Sequence, residues 1–525
     1  MKRNEMTRAL DRERQWDIII IGGGATGLGC ALDAASRGHT TLLLEQHDFA
    51  KGTTSRSTKL IHGGVRYLRQ GNIALVLESL RERGILMQNA PHLVTNQSFL
   101  VPSYEWWDGP FYGVGMKVYD LLAGKLGIGP SSMITREETL NRIPNLKKEG
   151  LRGGVLYHDG QFDDARLAVN LARTAVEHGA ALINYLKVTG LVKAGDRVAG
   201  VTASDVETGR EFRAHGRVVV NATGVFTDSI LAMDDPRAKK IITPSQGVHL
   251  VLGKEFLPGD TAIMVPHTDD GRVLFAVPWH DKVVVGTTDT YIETPTLEPC
   301  ALDEEVDFIL RHASKYMAKA PRREDVLSVF AGLRPLVSTS GSDETASMAR
   351  DHFLLISKSG LVTITGGKWT TYRKMAEETI DHAELVAGLD ERPCKTKDLP
   401  IHGWIEGCDL TDPLCFYGSD AAHIRELIEY HPQLGARLHQ ELPFIEAEVI
   451  WAVREEMART VEDVLARRTR ALLLNARASM EAAPKVAGIM ARELGWSANR
   501  QEEEAAGYTE LARSYVLDRA GEDIS

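Results

Sequence analysis

The stretch Asp17-Ile18-Ile19-Ile20-Ile21-Gly22-Gly23-Gly24-Ala25-Thr26-Gly27 decides the fold of this chain. Four consecutive isoleucines predict a strand that is buried on both faces. Gly22, Gly24 and Gly27 have the GxGxxG spacing, in which one glycine makes a tight turn, one lets the backbone approach a pyrophosphate, and one lets a helix pack closely on a strand. The residues that follow predict a helix whose N-terminal N–H groups and dipole face those phosphates.

A second strand and an acidic residue come after this helix. Residues 40–44 predict a second parallel strand, and Glu45 at its C-terminal end can accept both ribose hydroxyls of an adenine dinucleotide. The glycine motif alone is a weak signal, because three glycines can also form a plain turn. Strand, motif, helix, strand and acid in this order predict a Rossmann-type domain that binds an adenine dinucleotide.

Length, net charge and cysteine content indicate how many domains the chain forms and which partners and compartments are expected. A chain of 525 residues is expected to form two or three domains, and its net charge of −11 argues against a nucleic-acid partner. The five cysteines, an odd number, have no CxxC pair, so we expect a reduced compartment, no disulfide framework and no metal site. The charged first sixteen residues do not resemble a secretory signal, and no apolar run reaches the roughly 18 residues of a membrane span.

Three glycine- and hydroxyl-rich segments are predicted to approach the same dinucleotide. Residues 52–68 form a polar loop suited to wrapping a pyrophosphate, although a solvated surface loop is the alternative. Buried strands are predicted to end at Ala222-Thr223-Gly224 and at Thr365-Gly366-Gly367. Between them, residues 241–334 contain several strands without intervening helices, which predicts an inserted antiparallel sheet. Beyond Pro393 the pattern is helical, with segments such as 447–474 and 486–494, and prolines at 400, 413, 432, 443 and 484 are expected to separate the helices.

The most aromatic stretch of the chain, residues 104–122, allows two interpretations. Trp and Tyr are common at membrane interfaces, so this stretch could dock to a lipid surface. More often, such a stretch packs one domain on another.

Five stretches together resemble the FAD-dependent, quinone-linked glycerol-3-phosphate dehydrogenase family, within the wider set of flavin oxidases related to glycine and D-amino-acid oxidases. The first is Ser57-Thr58-Lys59-Leu60-Ile61-His62-Gly63-Gly64-Val65-Arg66-Tyr67-Leu68, in which the run from Lys59 to Leu68 is the most specific part. The others are Ile20–Gly27, Gly286-Thr287-Thr288-Asp289, Ala331-Gly332-Leu333-Arg334-Pro335-Leu336 and Thr365-Gly366-Gly367-Lys368-Trp369-Thr370-Thr371-Tyr372-Arg373. The helical tail is similar to the family through residues 460–470.

The resemblance implies an α/β (α+β) fold class. It comprises a Rossmann-type FAD-binding domain, an inserted antiparallel-sheet substrate domain like that of glycine and D-amino-acid oxidases, and a C-terminal α-helical domain. We expect the oxidoreductase domain at 16–390, with FAD binding at about 16–92, 160–240 and 345–388 and substrate binding at about 93–159 and 241–344. The helical domain is expected at 391–525.

The resemblance also implies the residues of the site. The expected FAD ligands are Gly22, Gly24, Ala25, Thr26, Gly27, Glu45, Thr53, Thr54, Ser55, Ser57, Lys59, Leu60, His62, Gly64, Thr223, Gly224, Gly366, Gly367, Lys368 and Thr370. The planar guanidinium of arginine can bind two oxygens of a phosphate dianion at once. The expected substrate ligands are therefore Arg66, Tyr67, Arg334, Arg350 and Lys368. The expected catalytic residues are His62, the first candidate for the base, His249, the second, and the cations Arg334 and Lys368.

The implied reaction oxidises sn-glycerol 3-phosphate to dihydroxyacetone phosphate, with hydride passing to FAD and electrons to membrane quinone. An oxidase that uses dioxygen and releases peroxide is the alternative, and a non-catalytic flavoprotein subunit is more remote. A nicotinamide-linked dehydrogenase is disfavoured, because the loops after Thr53, Ala222 and Thr365 are superfluous for that cofactor. The expected location is cytoplasmic, peripheral to the inner face of the cytoplasmic membrane, and a homodimer is left open. The charged N-terminus and the Arg467-Arg468-Thr469-Arg470 run give thin support for membrane contact.

Overall fold

The computed structural model describes residues 1–11, 15–64, 72–265, 268–269, 271–337 and 352–517. Two mixed sheets and a set of C-terminal helices make up these ranges. The strands are β1 (Gln15–Ile21), β2 (Thr41–Leu44), β3 (Leu60–Ile61), β4 (Val94–Ser103), β5 (Ser132–Thr135), β6 (Gly153–Phe162), β7 (Ala181–Ile183), β8 (Leu186–Ala194), β9 (Arg197–Asp205), β10 (Glu211–Asn221), β11 (Ile242–Gly253), β12 (Ala262–Val265), β13 (Leu274–Trp279), β14 (Lys282–Gly286), β15 (Thr290–Tyr291), β16 (Val326–Val337), β17 (His352–Ile356) and β18 (Val362–Gly366).

The helices pack on both sheets and form most of the C-terminal part. They are α1 (Arg3–Leu10), α2 (Ala25–Arg37), α3 (Ile73–Asn89), α4 (Asp108–Ala123), α5 (Arg136–Arg142), α6 (Asp164–Glu177), α7 (Thr227–Asp234), α8 (Asp303–Tyr316), α9 (Tyr372–Ala387), α10 (Ala421–Tyr430), α11 (Glu446–Glu455), α12 (Ala471–Leu474), α13 (Ala476–Leu494) and α14 (Ala498–Arg513).

The first sheet contains the predicted dinucleotide-binding strands. Its order is β17-β18-β10-β1-β2-β7, with β9 joining β10 to β8, and the central strands β18, β10, β1, β2 and β7 are parallel. Ile18 and Ile20 pack in the core under α2 and α9, whereas Ile19 and Ile21 pack in the core on the opposite face. The prediction that this strand is buried on both faces is therefore confirmed.

The second sheet is the predicted substrate sheet. Its order is β15-β11-β14-β13-β12-β4-β6-β3, with β16 paired to β11 and β5 paired to β6. All of these pairs are antiparallel except β4 with β12, which is parallel. The predicted antiparallel sheet is thus confirmed with this one exception, although α8 lies within the region 241–334 that was expected to contain strands without intervening helices.

The C-terminal helices share a hydrophobic core with Val251, Trp279, Val284 and Phe330 of the second sheet. Two predictions about these helices were wrong. The predicted helical segment 447–474 is broken into α11, a π-helical turn at Asp463–Arg468 and the short α12. Pro484 was expected to separate two helices, but it lies inside α13. Its neighbours Ala483 and Val486 are fully buried, so tertiary packing holds the helix together across the missing N–H donor.

The structure also corrects the expectation about cysteines. Cys408 and Cys415 form a disulfide across a seven-residue separation, with their Cα atoms 5.8 Å apart. The proximity comes from the turn that leads into α10, and the sequence spacing gave no sign of it. In the part of the chain that the structure describes, no helix combines the length and apolar character needed to cross a bilayer.

The arginine run at the end of the π-helical turn does not contact a lipid surface. Arg467, Arg468 and Arg470 are all buried. Arg468 forms a two-pronged ion pair with Asp48, at 2.7 and 2.9 Å, and Arg467 binds the same carboxylate. The run therefore joins the helical part to the dinucleotide-binding part, and the interpretation as membrane support was wrong.

The charged N-terminus is also part of the fold. Arg3 of α1 is buried and donates a hydrogen bond to Asp205 Oδ2 at 2.8 Å. It lies within 3.3 Å of Glu207 as well. This arginine is thus used in an internal ion pair.

Candidate active site

One cavity of about 1790 Å3 collects most of the predicted site residues. Its wall includes the ends of the parallel strands of the first sheet and the side chains of the second sheet. The predicted FAD ligands that line it are Gly22, Gly24, Ala25, Thr26, Glu45, Thr53, Thr54, Ser57, Leu60, His62, Gly64, Thr223, Gly224, Gly366, Gly367, Lys368 and Thr370. His249 and Arg334 line the same cavity.

Three predicted ligands lie behind the cavity wall. Gly27 supports the turn, because a Cβ there would collide with the carbonyl oxygen of Gly22. The carbonyl oxygen of Ser55 accepts a hydrogen bond from Lys59 Nζ at 2.8 Å. Lys59 itself is fully buried and bound to Asp164, and burial lowers its pKa to about 7.

Arg66, Tyr67 and Arg350 lie outside the described residues. Their predicted contacts with substrate remain predictions.

The glycine turn has the shape that a dinucleotide requires. Gly22 has φ +109°, and a Cβ there would lie 2.6 Å from the carbonyl oxygen of Ala222. Gly24 caps α2 without a side chain, so the helix N-terminus opens into the cavity. Glu45 is fixed beside it by the N–H groups of Gly23, at 2.6 Å, and His47, at 2.8 Å. These residues fit the pyrophosphate and ribose of FAD.

Arg334 is the best-defined cation of the cavity. It projects from β16, donating Nη1 to the Thr288 carbonyl at 3.1 Å and Nη2 to Thr287 Oγ1 at 3.0 Å. Asp289 Oδ1 lies 3.6 Å from Nη1. Gly247 on β11 leaves the space for this guanidinium, because a Cβ there would collide with Nη2. The fork is therefore oriented before any anion binds.

His249 lies beside Arg334 on the same sheet. Its Nε2 shares a hydrogen bond with Thr58 Oγ1 at 2.9 Å, and its ring stacks on Phe330 with centroids 4.9 Å apart. Among the described residues, the buried Nδ1 has no hydrogen-bond partner. Burial, followed by the positive charges of Arg334 and Lys59, holds the pKa of His249 well below its ordinary value. The ring is therefore neutral near pH 7.

His62 lies in a half-buried loop held from behind by a buried carboxylate. Asp159 accepts from the Gly63 N–H at 3.2 Å, from Arg83 at 2.7 Å and from Tyr119 at 2.8 Å. A Cβ on Gly63 would collide with Leu80 and with the Tyr119 hydroxyl. This packing fixes the backbone on which the His62 ring faces the cavity.

Lys368 reaches the cavity from the third glycine turn. Gly366 and Gly367, both with positive φ, end β18 immediately before it. The next residue, Trp369, donates its indole N–H to the Thr54 carbonyl at 2.9 Å. The Lys368 backbone is thereby tied to the loop that carries Thr53 and Thr54.

One part of the cavity wall is apolar. Phe99, Tyr157, Met264 and Phe275 contribute it from the second sheet. Residues from α4 and the turn before it complete the wall: Trp107, Phe111, Tyr112, Val114, Gly115 and Met116. The cavity thus has a charged part, which contains Arg334 and Lys368, and this apolar part, here called the apolar arm.

Two family models match this chain. One describes FAD dependent oxidoreductases and covers residues 17–373, and the other describes the C-terminal domain of alpha-glycerophosphate oxidase and covers residues 362–501. The mitochondrial glycerol-3-phosphate dehydrogenase of Mus musculus is 41% identical, over 96% of this chain and 74% of that protein. The corresponding protein of Homo sapiens is 40% identical, over 98% of this chain and 74% of that protein. The chain belongs to the FAD-dependent glycerol-3-phosphate dehydrogenase family.

A solved structure supports the same family at the level of the fold. The glycerol-3-phosphate dehydrogenase from Bacillus halodurans, complexed with FAD, superposes with a TM-score of 0.79 at 31% identity, and the match covers 98% of each chain. The predicted family, fold class, FAD cofactor and enzyme class are confirmed. FAD supplies the hydride acceptor in a glycerol-3-phosphate dehydrogenase of this family.

Several residues that shape this dehydrogenase site were missed from the sequence. Thr58, Thr287, Asp159 and Asp164 each hold a predicted site residue or its loop in place. Thr58 and Thr287 both lie in family-matching stretches, which was a usable signal. Asp159 and Asp164 carried no local signal, because their partners lie far away in the chain.

Proposed function

We propose that this chain oxidises the secondary alcohol of sn-glycerol 3-phosphate to dihydroxyacetone phosphate, with FAD as the hydride acceptor. The observation that carries the proposal is the single cavity, where the dinucleotide turn, Arg334, Lys368 and two imidazoles meet. A phosphate dianion needs such cations, and alcohol oxidation needs a group that takes the hydroxyl proton. The names of the relatives point to the same substrate.

Arg334 has the role of binding the phosphate. Its guanidinium is braced by Thr287 and Thr288, so little freedom is lost when an anion binds. Lys368 adds a second positive charge on the same cavity. A cation there also favours the negative charge that the bound cofactor gains on reduction.

We assign the proton acceptor to His62 and an orienting role to His249. A base works best when its pKa lies near the working pH. The pKa of His249 is held well below its ordinary value, which makes that ring a weak base. His62 is half-buried on the same cavity, next to the loop braced by Asp159.

Anaerobic reduction of the holoenzyme tests the reaction. We expect sn-glycerol 3-phosphate to bleach the visible absorbance of the bound flavin, with dihydroxyacetone phosphate as the product. Glycerol, which lacks the phosphate, and glycerol 2-phosphate, which lacks the free secondary hydroxyl, are matched control compounds and should leave the flavin oxidised. A flavin that stays oxidised with sn-glycerol 3-phosphate, or bleaches equally with glycerol, contradicts the proposal.

We propose a membrane quinone as the electron acceptor. The apolar wall of Phe99, Tyr157, Met264 and Phe275 suits a lipophilic ring and tail. When reduced enzyme is mixed with a short-tail benzoquinone without air, the flavin should be reoxidised in no more time than one catalytic turnover takes. Faster reoxidation by air with release of peroxide would favour the oxidase instead.

We further propose that α4 rests on an anionic lipid surface. Trp107, Phe111, Val114, Val118 and Leu121 follow each other at helical spacing and are 41 to 80% exposed. The first three also line the cavity, so the exposed apolar face continues into the apolar arm. This continuity would let a quinone pass from lipid to the site.

Exposed cations lie in the segments near the turn before α4, alongside the exposed acids Glu105, Glu137, Glu138 and Glu149. Arg136, Lys148 and Arg152 are exposed, and Arg152 donates to the Tyr104 carbonyl at 3.2 Å. Arg136 donates to the Lys148 carbonyl at 3.1 Å. Such a group of cations beside an apolar helix suits anionic headgroups.

A further inference from the structure

A buried arginine of the C-terminal helical part lies behind the wall of the active-site cavity. Arg470 lies between the π-helical turn and α12, with φ +64°. Its Nη2 donates to the Ser55 carbonyl and to Asp164 Oδ1, each at 2.8 Å. Its Nη1 donates to the Ala466 carbonyl, also at 2.8 Å. The side chain does not line the cavity, so it can affect substrate only through other residues.

Asp164 connects Arg470 to residues 57–59, which belong to the predicted FAD-binding loop. Its Oδ2 accepts from the Ser57 N–H at 3.1 Å, from Ser57 Oγ at 2.7 Å and from Lys59 Nζ at 2.6 Å. The carboxylate is completely buried and lies between two cations, Lys59 and Arg470. A buried carboxylate with so many donors fixes the loop on both sides of Thr58.

Thr58 connects this anchored loop to the active-site imidazole. Its hydroxyl shares the 2.9 Å hydrogen bond with His249 Nε2. Lys59, the next residue, has φ +65°, a conformation that a lysine adopts only when surrounding contacts enforce it. Lys59 Nζ donates to Asp164 and to the Ser55 carbonyl, and Arg470 binds both of these groups.

We propose that Arg470 is a positioning residue for His249, through which the C-terminal helical part completes the active site. Arg470 holds Asp164 and Ser55, these hold residues 57–59, and Thr58 holds the imidazole in one orientation toward the substrate alcohol. The inference rests on the proposed function, because it assigns His249 a part in alcohol oxidation. It gives the helical part a role in the reaction as well as in the fold.

Rapid-mixing measurements on the Arg470→Ala holoenzyme test this inference. We expect the rate constant for flavin reduction by sn-glycerol 3-phosphate to fall by about tenfold or more, the size of a lost hydrogen bond to a charged group. The KM for the substrate should stay within about twofold, because Arg334 keeps its contacts with Thr287 and Thr288. Added guanidinium ion should restore part of the rate by filling the vacated site, whereas ammonium at equal ionic strength should not.

Arg459→Ala is the matched control. Arg459 makes a two-pronged ion pair with Glu207 across the same boundary between parts of the chain, at 2.9 and 3.1 Å. It has no contact with residues 55–59, so this variant should reduce its flavin at the wild-type rate. If Arg459→Ala lost as much rate as Arg470→Ala, any disruption of the contact between the helical part and the rest of the chain would slow flavin reduction. That result would overturn the assignment.

Thr58→Val keeps the test decisive even if Arg470→Ala does not fold. This change removes the hydrogen bond to His249 at nearly constant shape, and it should slow flavin reduction as Arg470→Ala does. Thr58→Ser should restore the rate. Wild-type reduction rates in Thr58→Val, or in folded Arg470→Ala, would overturn the inference. If wild-type enzyme itself is not reduced by the substrate, the proposed function fails instead.

Discussion

At the scale of single residues, Arg334 shows how a binding cation is prepared by its surroundings. Thr287 and Thr288 hold the guanidinium, and Gly247 leaves room for it. Arg334→Ala should raise the KM for sn-glycerol 3-phosphate steeply, because truncating one partner of a buried charge pair costs about 2–5 kcal/mol. Steady-state kinetics with saturating acceptor measure the change. Arg334→Lys should recover only part of it, since lysine lacks the fork.

The control for this prediction is Arg322→Ala. Arg322 is exposed and pairs only with neighbouring acids of its own turn among the described residues. Its removal should leave KM unchanged. An Arg334→Ala enzyme with wild-type KM and full flavin content would remove Arg334 from the phosphate site.

The neutral His249 ring should affect stability as a function of pH. In the unfolded chain an imidazole titrates at about pH 6.5, whereas burial and two nearby cations keep the folded ring neutral far below that pH. Below about pH 6.5 the unfolded state therefore binds a proton that the folded state does not. The free energy of unfolding should fall as pH drops there, by up to about 1.4 kcal/mol per pH unit from this residue. Above about pH 6.5 the residue contributes no slope.

Denaturant unfolding between about pH 5 and pH 6.5 measures this effect. His249→Gln should make the pH dependence shallower than in the wild type. His178→Gln is the control, because the His178 ring is exposed at the end of α6 and its replacement should leave the slope unchanged. Equal slopes in wild type and His249→Gln would contradict the neutral, buried ring.

At the scale of elements, α4 should decide lipid binding. Val118 and Leu121 lie on its exposed face and do not line the cavity. The double change Val118→Ser and Leu121→Ser should weaken binding to vesicles containing anionic lipid, because it removes apolar area from the contact face. Flotation measures binding, and turnover with a water-soluble acceptor should be unchanged. Leu385→Ser, on the exposed side of α9, is the control and should still float with the vesicles.

Elements whose signals are local could be predicted from the sequence. The β1, Gly22 turn and α2 unit depends on neighbouring residues, and so does the Gly366 turn after β18. The cavity confirms that these turns and Glu45 converge. The interpretation of residues 104–122 as buried domain packing held for only one side of α4, since Met116 and Tyr119 are buried but the opposite face is exposed.

Features that depend on distant partners could not be predicted. The parallel pairing of β4 with β12 joins strands more than 150 residues apart. The 467–470 arginine run was interpreted as support for membrane contact, because nothing near it in the chain identifies Asp48 and Asp164 as its partners. The contact between Thr58 and His249 could not be predicted either, because the two residues are far apart in the chain. Both lie in or beside segments to which the sequence analysis assigned a role in the site.

At the scale of the whole molecule, buried arginines join the C-terminal helices to the dinucleotide-binding sheet. Arg468 binds both oxygens of Asp48, Arg467 binds one of them, and Arg166 pairs with Glu456. These contacts connect residues more than 250 positions apart. We therefore expect the two parts to unfold together, with loss of flavin and loss of helix at one temperature.

Asp48→Ala tests this coupling between the two parts. Burial alone would raise the pKa of Asp48, but the guanidinium groups of Arg468 and Arg467 outweigh it and lower the pKa to about 2. The pair therefore stabilises the fold above the ordinary aspartate pKa, and its contribution is lost as pH falls toward 2. Removing the carboxylate leaves buried guanidinium charge and should cost about 3 kcal/mol, near the low end for a broken buried pair, since Arg467 keeps Glu462 and Asp463.

For a chain of this length, that cost corresponds to a Tm lowered by about 3 °C. Circular dichroism and flavin fluorescence recorded on the same heating ramp measure it, and both transitions should shift together. Asp11→Ala, which removes the exposed partner of Arg210, should leave Tm unchanged. If the flavin were released well before the helices melt in Asp48→Ala, the two parts would be stable independently. The arginine run would then be a local contact and would not join the two parts into one cooperative unit.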